Sequence, residues 1–189
     1  LKVRQTAIRA RGHKGRLQVT AAISPFVPKP HTPFQWEEQL GFEALKERMA
    51  YIRERFSEHR YLKLRWHEPD MSWLEGVFSR AGRELAPAVE LAFRKGALFS
   101  SWRDHLDLSI WKECFAELDM DADGYLAERD EQAPLPWDHL NCGVSKRFLR
   151  TERKRALACK LTEDCRFERC RNCGVCNHDG RESSLTAQS

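Results

Sequence analysis

Cys165, Cys170, Cys173 and Cys176 fall within twelve residues in the order Cys-x4-Cys-x2-Cys-x2-Cys. A Cys-x2-Cys turn lets two thiolates converge on one ion, and Asn172, Gly174, Asn177 and Gly180 supply the small residues that such a tight backbone needs. Four sulfur ligands suit a tetrahedral zinc ion or an iron–sulfur cluster. The Cys-x4-Cys-x2-Cys portion also occurs in plant-type ferredoxins, and spacing does not separate the two metals. His178 is a further candidate to replace one sulfur. Arg166, Arg169 and Arg171 would offset part of the negative charge of four thiolates. The other cysteines, Cys114, Cys142 and Cys159, are scattered, which favours a metal knuckle over a disulfide framework.

A second group of candidates lies in Pro25–Pro33, where four prolines fix the backbone and withhold amide donors, excluding helix and central strand. This reads as a stiff, exposed loop following a strand. Barrels and α/β folds place reactive side chains on such loops, so Lys29 and His31 become substrate-side candidates. Asp138 and His139 form a third group, because a carboxylate can orient an imidazole for proton transfer or ligation.

Two further patterns have plainer readings. Asp119, Asp121, Asp123 and Gly124 match the start of a calcium loop, but position twelve is Asp130, and Pro134 and Pro136 prevent an exit helix. A solvated helix-ending turn is expected there. Between Lys146 and Arg171 ten basic residues face four acidic ones, a footprint for RNA phosphates beside a knuckle or simply a solvated face.

The elements that must position these residues follow from periodicity. Leu17–Ile23 and Tyr61–Trp66 alternate as strands, the second closed by Pro69. Phe42, Leu45, Met49, Ile52 and Phe56 recur at helical spacing within a helix expected over Trp36–His59. Ser72-Trp73-Leu74-Glu75 resembles a capping box for the next helix. Helices are expected over Arg83–Arg94, with Leu85, Val89 and Phe93 inward, and over Leu108–Leu118. The last, Lys146–Ala158, is capped by Ser145. The basic segment Leu1–Arg16 reads as a solvated end or the tail of a truncated helix.

The chain has 189 residues, a formal charge of +4 and 41% hydrophobic residues, which exclude wholesale disorder. No apolar run approaches the roughly 18 residues that cross a bilayer, so no membrane association and a cytoplasmic location are expected. The start at Leu1, amid charged residues, suggests a piece of a longer polypeptide.

From Ile23 to Trp36 the chain reads Ile-Ser-Pro-Phe-Val-Pro-Lys-Pro-His-Thr-Pro-Phe-Gln-Trp. Downstream come Leu64-Arg65-Trp66-His67, Ser72-Trp73-Leu74-Glu75-Gly76-Val77-Phe78-Ser79-Arg80, Leu135-Pro136-Trp137-Asp138-His139 and Gly143-Val144-Ser145-Lys146-Arg147-Phe148-Leu149, before the four cysteines. In this order, and over nearly the whole chain from Leu17, the sequence resembles the C-terminal portion of an uncharacterised family, the cobalamin-binding-domain radical SAM proteins.

The resemblance implies an α+β, mainly α fold: the terminal strand of a partial (β/α) radical SAM barrel, a helical C-terminal extension and a four-cysteine knuckle. The corresponding boundaries are 1–35 for the end of the barrel, 36–160 for the extension, 161–180 for the knuckle and 181–189 for a flexible tail. In complete members an upstream Cys-x3-Cys-x2-Cys motif holds a [4Fe–4S] cluster that cleaves S-adenosylmethionine to a carbon radical. That motif, the glycine-rich S-adenosylmethionine strands and the cobalamin domain are not in this sequence. The resemblance therefore implies a partner, the N-terminal radical SAM half or a separate subunit, and no catalysis by this piece alone. The family's acidic residue after Trp-Asp-His is replaced by Asn141-Cys142. A zinc-knuckle RNA-binding module is the alternative.

Overall fold

The computed structural model describes residues 2–11 and 17–176. The expectations for His178, Asn177, Gly180 and the tail 181–189 lie outside these residues. Among them the fold is mainly helical, with six α-helices and one small parallel sheet. The helices are α1 (Lys2–Arg11), α2 (Phe42–Ser57), α3 (Pro69–Arg80), α4 (Ala86–Arg94), α5 (Leu108–Glu117) and α6 (Lys146–Leu157); the strands are β1 (Val19–Ile23) and β2 (Leu62–Trp66).

β1 and β2 pair in parallel register, Val19 opposite Leu62 and Ile23 opposite Trp66, with α2 as the crossover helix. Parallel strands cannot be joined by a tight turn, and the segment between them supplies the long connection they need. Both strands lie where alternation expects them, and β2 follows β1 in the chain and pairs with it.

Four local expectations are corrected. α2 begins at Phe42 rather than Trp36, because Trp36 is fully buried in a separate cluster with Leu135, Trp137 and Leu149. Ser72 is no cap: Pro69 starts α3, where its missing N–H costs nothing, and Ser72 lies buried inside the first turns. On α4 the inward residues are Ala88 and Ala92, whereas Val89 and Phe93 are exposed. Small side chains let α4 approach α5 closely, and large ones on the same face would hold them apart. The proline-rich segment is also less exposed than expected, with Pro28 buried and its neighbours half-buried.

The main core joins Trp73, Leu74 and Val77 of α3 to Leu85, to Ala88 and Ala92 of α4, to Leu108, Trp111, Cys114 and Phe115 of α5, and to Leu126. The buried Arg80 guanidinium fastens two segments to α3. It donates to the carbonyls of Gln35 (3.2 Å), Glu37 (2.8 Å), Tyr125 (2.7 Å) and Ala127 (2.5 Å), while Arg129 donates to the Arg80 carbonyl (2.7 Å). Burial first, then the charge of Arg129, pulls the Arg80 pKa down to about 10.

Candidate functional site

A cleft of about 270 Å³ lies between the loop after β1 and the start of α6, with His31, Gln35, Asp138, His139 and Lys146 on its walls. The loop is set by Gln35, whose buried side-chain oxygen accepts the His31 amide (3.0 Å) and the Trp137 indole N–H (2.7 Å). Thr32 Oγ1 donates to the Lys29 carbonyl (2.8 Å), closing the turn, and His31 itself takes a left-handed φ of 57°. That conformation is uncommon outside glycine, so the two bonds to Gln35 hold a backbone shape the chain would not adopt unaided.

The opposite wall is built from the turn at 135–140. The Leu135 amide donates to Asp138 Oδ2 (2.8 Å), and Lys146, at the start of α6, donates to the same oxygen (2.6 Å) and to the Ala133 carbonyl (3.2 Å). Ser145 caps α6 by accepting from the Phe148 amide (3.2 Å). Burial works against ionised Asp138, but the Lys146 and Leu135 hydrogen bonds and the charges of Lys146 and His31 outweigh it and hold the carboxyl below its ordinary value. Asp138 is thus an ionised anchor, while the exposed imidazole of His139 and that of His31 are left on the cleft walls. Histidine is the side chain suited to proton transfer near neutral pH, and Lys146 adds a cation for an acidic group.

The structure brings His31, Asp138 and His139 together and places Lys29 elsewhere. Lys29 forms an ion pair with Glu75 on α3 and donates to Ser79 Oγ (3.3 Å). Sequence reasoning passed over Gln35 and Lys146. Lys146 looked like one more member of a basic run, and only the folding of 133–138 against α6 gives it a partner.

The cysteine segment docks on the cap of α6. The Ser145 amide donates to the Cys173 carbonyl (2.7 Å), and Gly174 sits at φ 103° with the Gly143 carbonyl 2.8 Å from where a Cβ would stand. At the Cys170–Cys173 turn Asn172 adopts a left-handed φ of 55° and its amide donates to Cys170 Sγ (3.3 Å). An N–H directed at sulfur stabilises a thiolate and suits one half of a Cys-x2-Cys metal knuckle. Among the described residues, however, no three Cys, His, Asp or Glu side chains gather as a metal-binding group, so Cys165, Cys170, Cys173 and Cys176 are near in sequence without being drawn together.

Two carboxylates of the calcium-like loop already have partners: Asp123 accepts from the Trp73 indole (2.6 Å) and Asp121 from the Gly124 amide (2.9 Å). Part of the basic stretch is also turned inward. Arg153 bridges Glu37 (2.5 Å) and Glu131 (2.6 Å), and Arg150 donates to the Glu131 carbonyl. Among the described residues no helix is long and apolar enough to cross a membrane. No family model, curated protein or solved structure matches the chain.

Proposed function

We propose that the chain is the C-terminal part of a cytoplasmic radical SAM iron–sulfur protein, contributing a substrate-side cleft and an auxiliary metal centre without generating a radical itself. The observation that carries this reading is the parallel β1–α2–β2 unit, whose β1 leads directly into the loop bearing His31. Two parallel strands are a slice of sheet rather than a stable sheet, and Val19, Ile23, Leu62 and Leu64 are only half-buried. In this reading further parallel strands, from the N-terminal radical SAM half or a separate subunit, complete the sheet. That half brings the [4Fe–4S] cluster and S-adenosylmethionine, with cobalamin where the member uses it.

Ligand sites at the carboxyl ends of parallel strands are the rule for such sheets, which places the His31 loop on the reacting side. Asp138 and Lys146 fix that wall, and His31 and His139 bind or move protons on a polar substrate. Cys165, Cys170, Cys173 and Cys176 would hold zinc, which staples the fold, or an iron–sulfur cluster, which supplies an electron relay or substrate anchor. The reading is supported by the Cys170 N–H···S contact and by the docking of Cys173 on the α6 cap.

The test is anaerobic assay of the complete polypeptide and of this chain alone. Deoxyadenosine formation from S-adenosylmethionine is expected only from the complete protein. Its formation by the chain alone, or its absence from both, contradicts the proposal.

A second reading, an RNA module, draws on a separate observation: Arg147, Arg155 and Arg171 border a cleft of about 340 Å³ between α6 and the cysteine segment. RNA retention that falls steeply with salt would support it, because phosphate contacts release counterions. Salt-independent retention, or none, removes it.

A further inference from the structure

A second cavity, of about 490 Å³, shares no wall residue with the histidine cleft. One side is a single face of α3, where Met71, Leu74, Glu75 and Phe78 recur at helical spacing. The other side is Trp111 of α5 and the turn carrying Ser100 and Ser101. These walls are fixed: Leu74 and Trp111 belong to the main core, Phe78 meets Trp111 edge to face at 5.2 Å, and the Trp111 indole donates to Ser100 Oγ (3.1 Å). His67, also on the wall, continues β2, and its amide donates to the Ile23 carbonyl at the end of β1 (3.1 Å). The cavity thus opens where both parallel strands end, the position at which such sheets receive ligands.

The lining decides the class of occupant. Apolar and aromatic side chains form the body of the cavity, and among the described residues the acidic group on its walls is Glu75, whose carboxylate is paired with Lys29 from beyond the lining. The chain itself shows what this carboxylate takes, since the Lys29 ammonium is its ion-pair partner. A carboxylate has further acceptor positions and can receive a second ammonium or exchange one for another. An apolar pocket with one oriented polar group is the usual form of a small-molecule site. From these relationships we infer that the cavity binds a small amine with an aromatic or branched apolar body. The body lies against the joined rings of Phe78 and Trp111, and the ammonium lies on Glu75, sharing that carboxylate with Lys29 or exchanging for it. This inference does not depend on the radical SAM reading or on the metal state of the cysteines.

The test is a ligand-observed NMR titration of the full chain with 2-phenylethylamine and, as the matched anion, 3-phenylpropionate. Saturable binding of the amine, at least about tenfold tighter than the acid, is expected. Glu75→Gln should remove that preference and Ser101→Trp, which fills the cavity from an exposed position, should abolish amine binding; circular dichroism checks that both variants fold. Equal affinity for the two probes, no saturable binding of the amine, or amine binding unchanged in both variants overturns the proposal.

Discussion

The Trp137 indole donates to the Gln35 side-chain oxygen at 2.7 Å, joining positions 102 residues apart, and the same oxygen holds the His31 amide at 3.0 Å. One buried acceptor therefore couples the loop after β1 to the turn that carries Asp138 and His139. Gln35→Leu keeps the bulk and leaves two donors without an acceptor, at an expected cost of about 2 kcal/mol. Equilibrium urea unfolding should show the loss, and hydrogen exchange at the His31 amide should accelerate. Unchanged exchange at His31 would show that the loop is held by something else.

Arg80 is the stronger determinant of the fold. Arg80→Met removes the donor to four carbonyls on two segments, at Gln35 and Glu37 and at Tyr125 and Ala127. Buried carbonyls left unpaired each carry a desolvation cost, so a destabilisation of about 3 kcal/mol or more is expected in urea unfolding. A loss below about 1 kcal/mol would mean that water or a neighbouring donor replaces the guanidinium.

Gly76 is required by packing. A Cβ there would stand 2.1 Å from Oε1 of Gln39, a buried side chain that donates to the Ser72 carbonyl (2.7 Å). Gly76→Ala should lower stability by about 1–3 kcal/mol despite alanine's better helix propensity. Thermal unfolding measures it, and a stabilised variant would contradict the tight approach of Gln39 to α3.

These three residues mark where sequence reading stops. Alternation and helical spacing are local, and they sufficed for β1, β2, α5 and the Ser145 cap, which depend on neighbours in the chain. Arg80, Gly76 and, in its bond with Trp137, Gln35 act through partners tens of residues away or more, and a polar side chain gives no periodic sign of being buried. Ala88 and Ala92 were passed over for Val89 and Phe93 for a related reason: apolar size suggests burial, while close helix contact selects small residues. Of the candidate site, His31, Asp138 and His139 were legible as reactive types on turns. Their convergence, the part played by Lys146 and the separate position of Lys29 depend on tertiary contacts.

Asp138 gives the cleft a defined pH response. Its folded-state carboxyl lies below the ordinary value, so between the two values the unfolded chain binds the extra proton. The stabilisation is complete above the usual carboxylate range near pH 4 and is lost as pH falls through the folded-state value. Wild type should accordingly be slightly more stable than Asp138→Asn at pH 6, with the gap closing as pH falls through the folded-state value; the effect is small because the pair is about a third exposed to solvent. A gap that widens on acidification would reverse the sign and contradict the Lys146 pairing.

The proposal that the four cysteines hold one metal centre is tested most directly by elemental analysis of the chain purified without oxygen, beside Cys173→Ser prepared identically. The expected result is about one zinc per chain, or iron with matching sulfide and absorbance near about 400 nm, and loss of that metal in the variant. A fully folded wild-type chain without metal, or metal content unchanged by Cys173→Ser, would contradict the assignment of Cys165, Cys170, Cys173 and Cys176 to one inorganic centre.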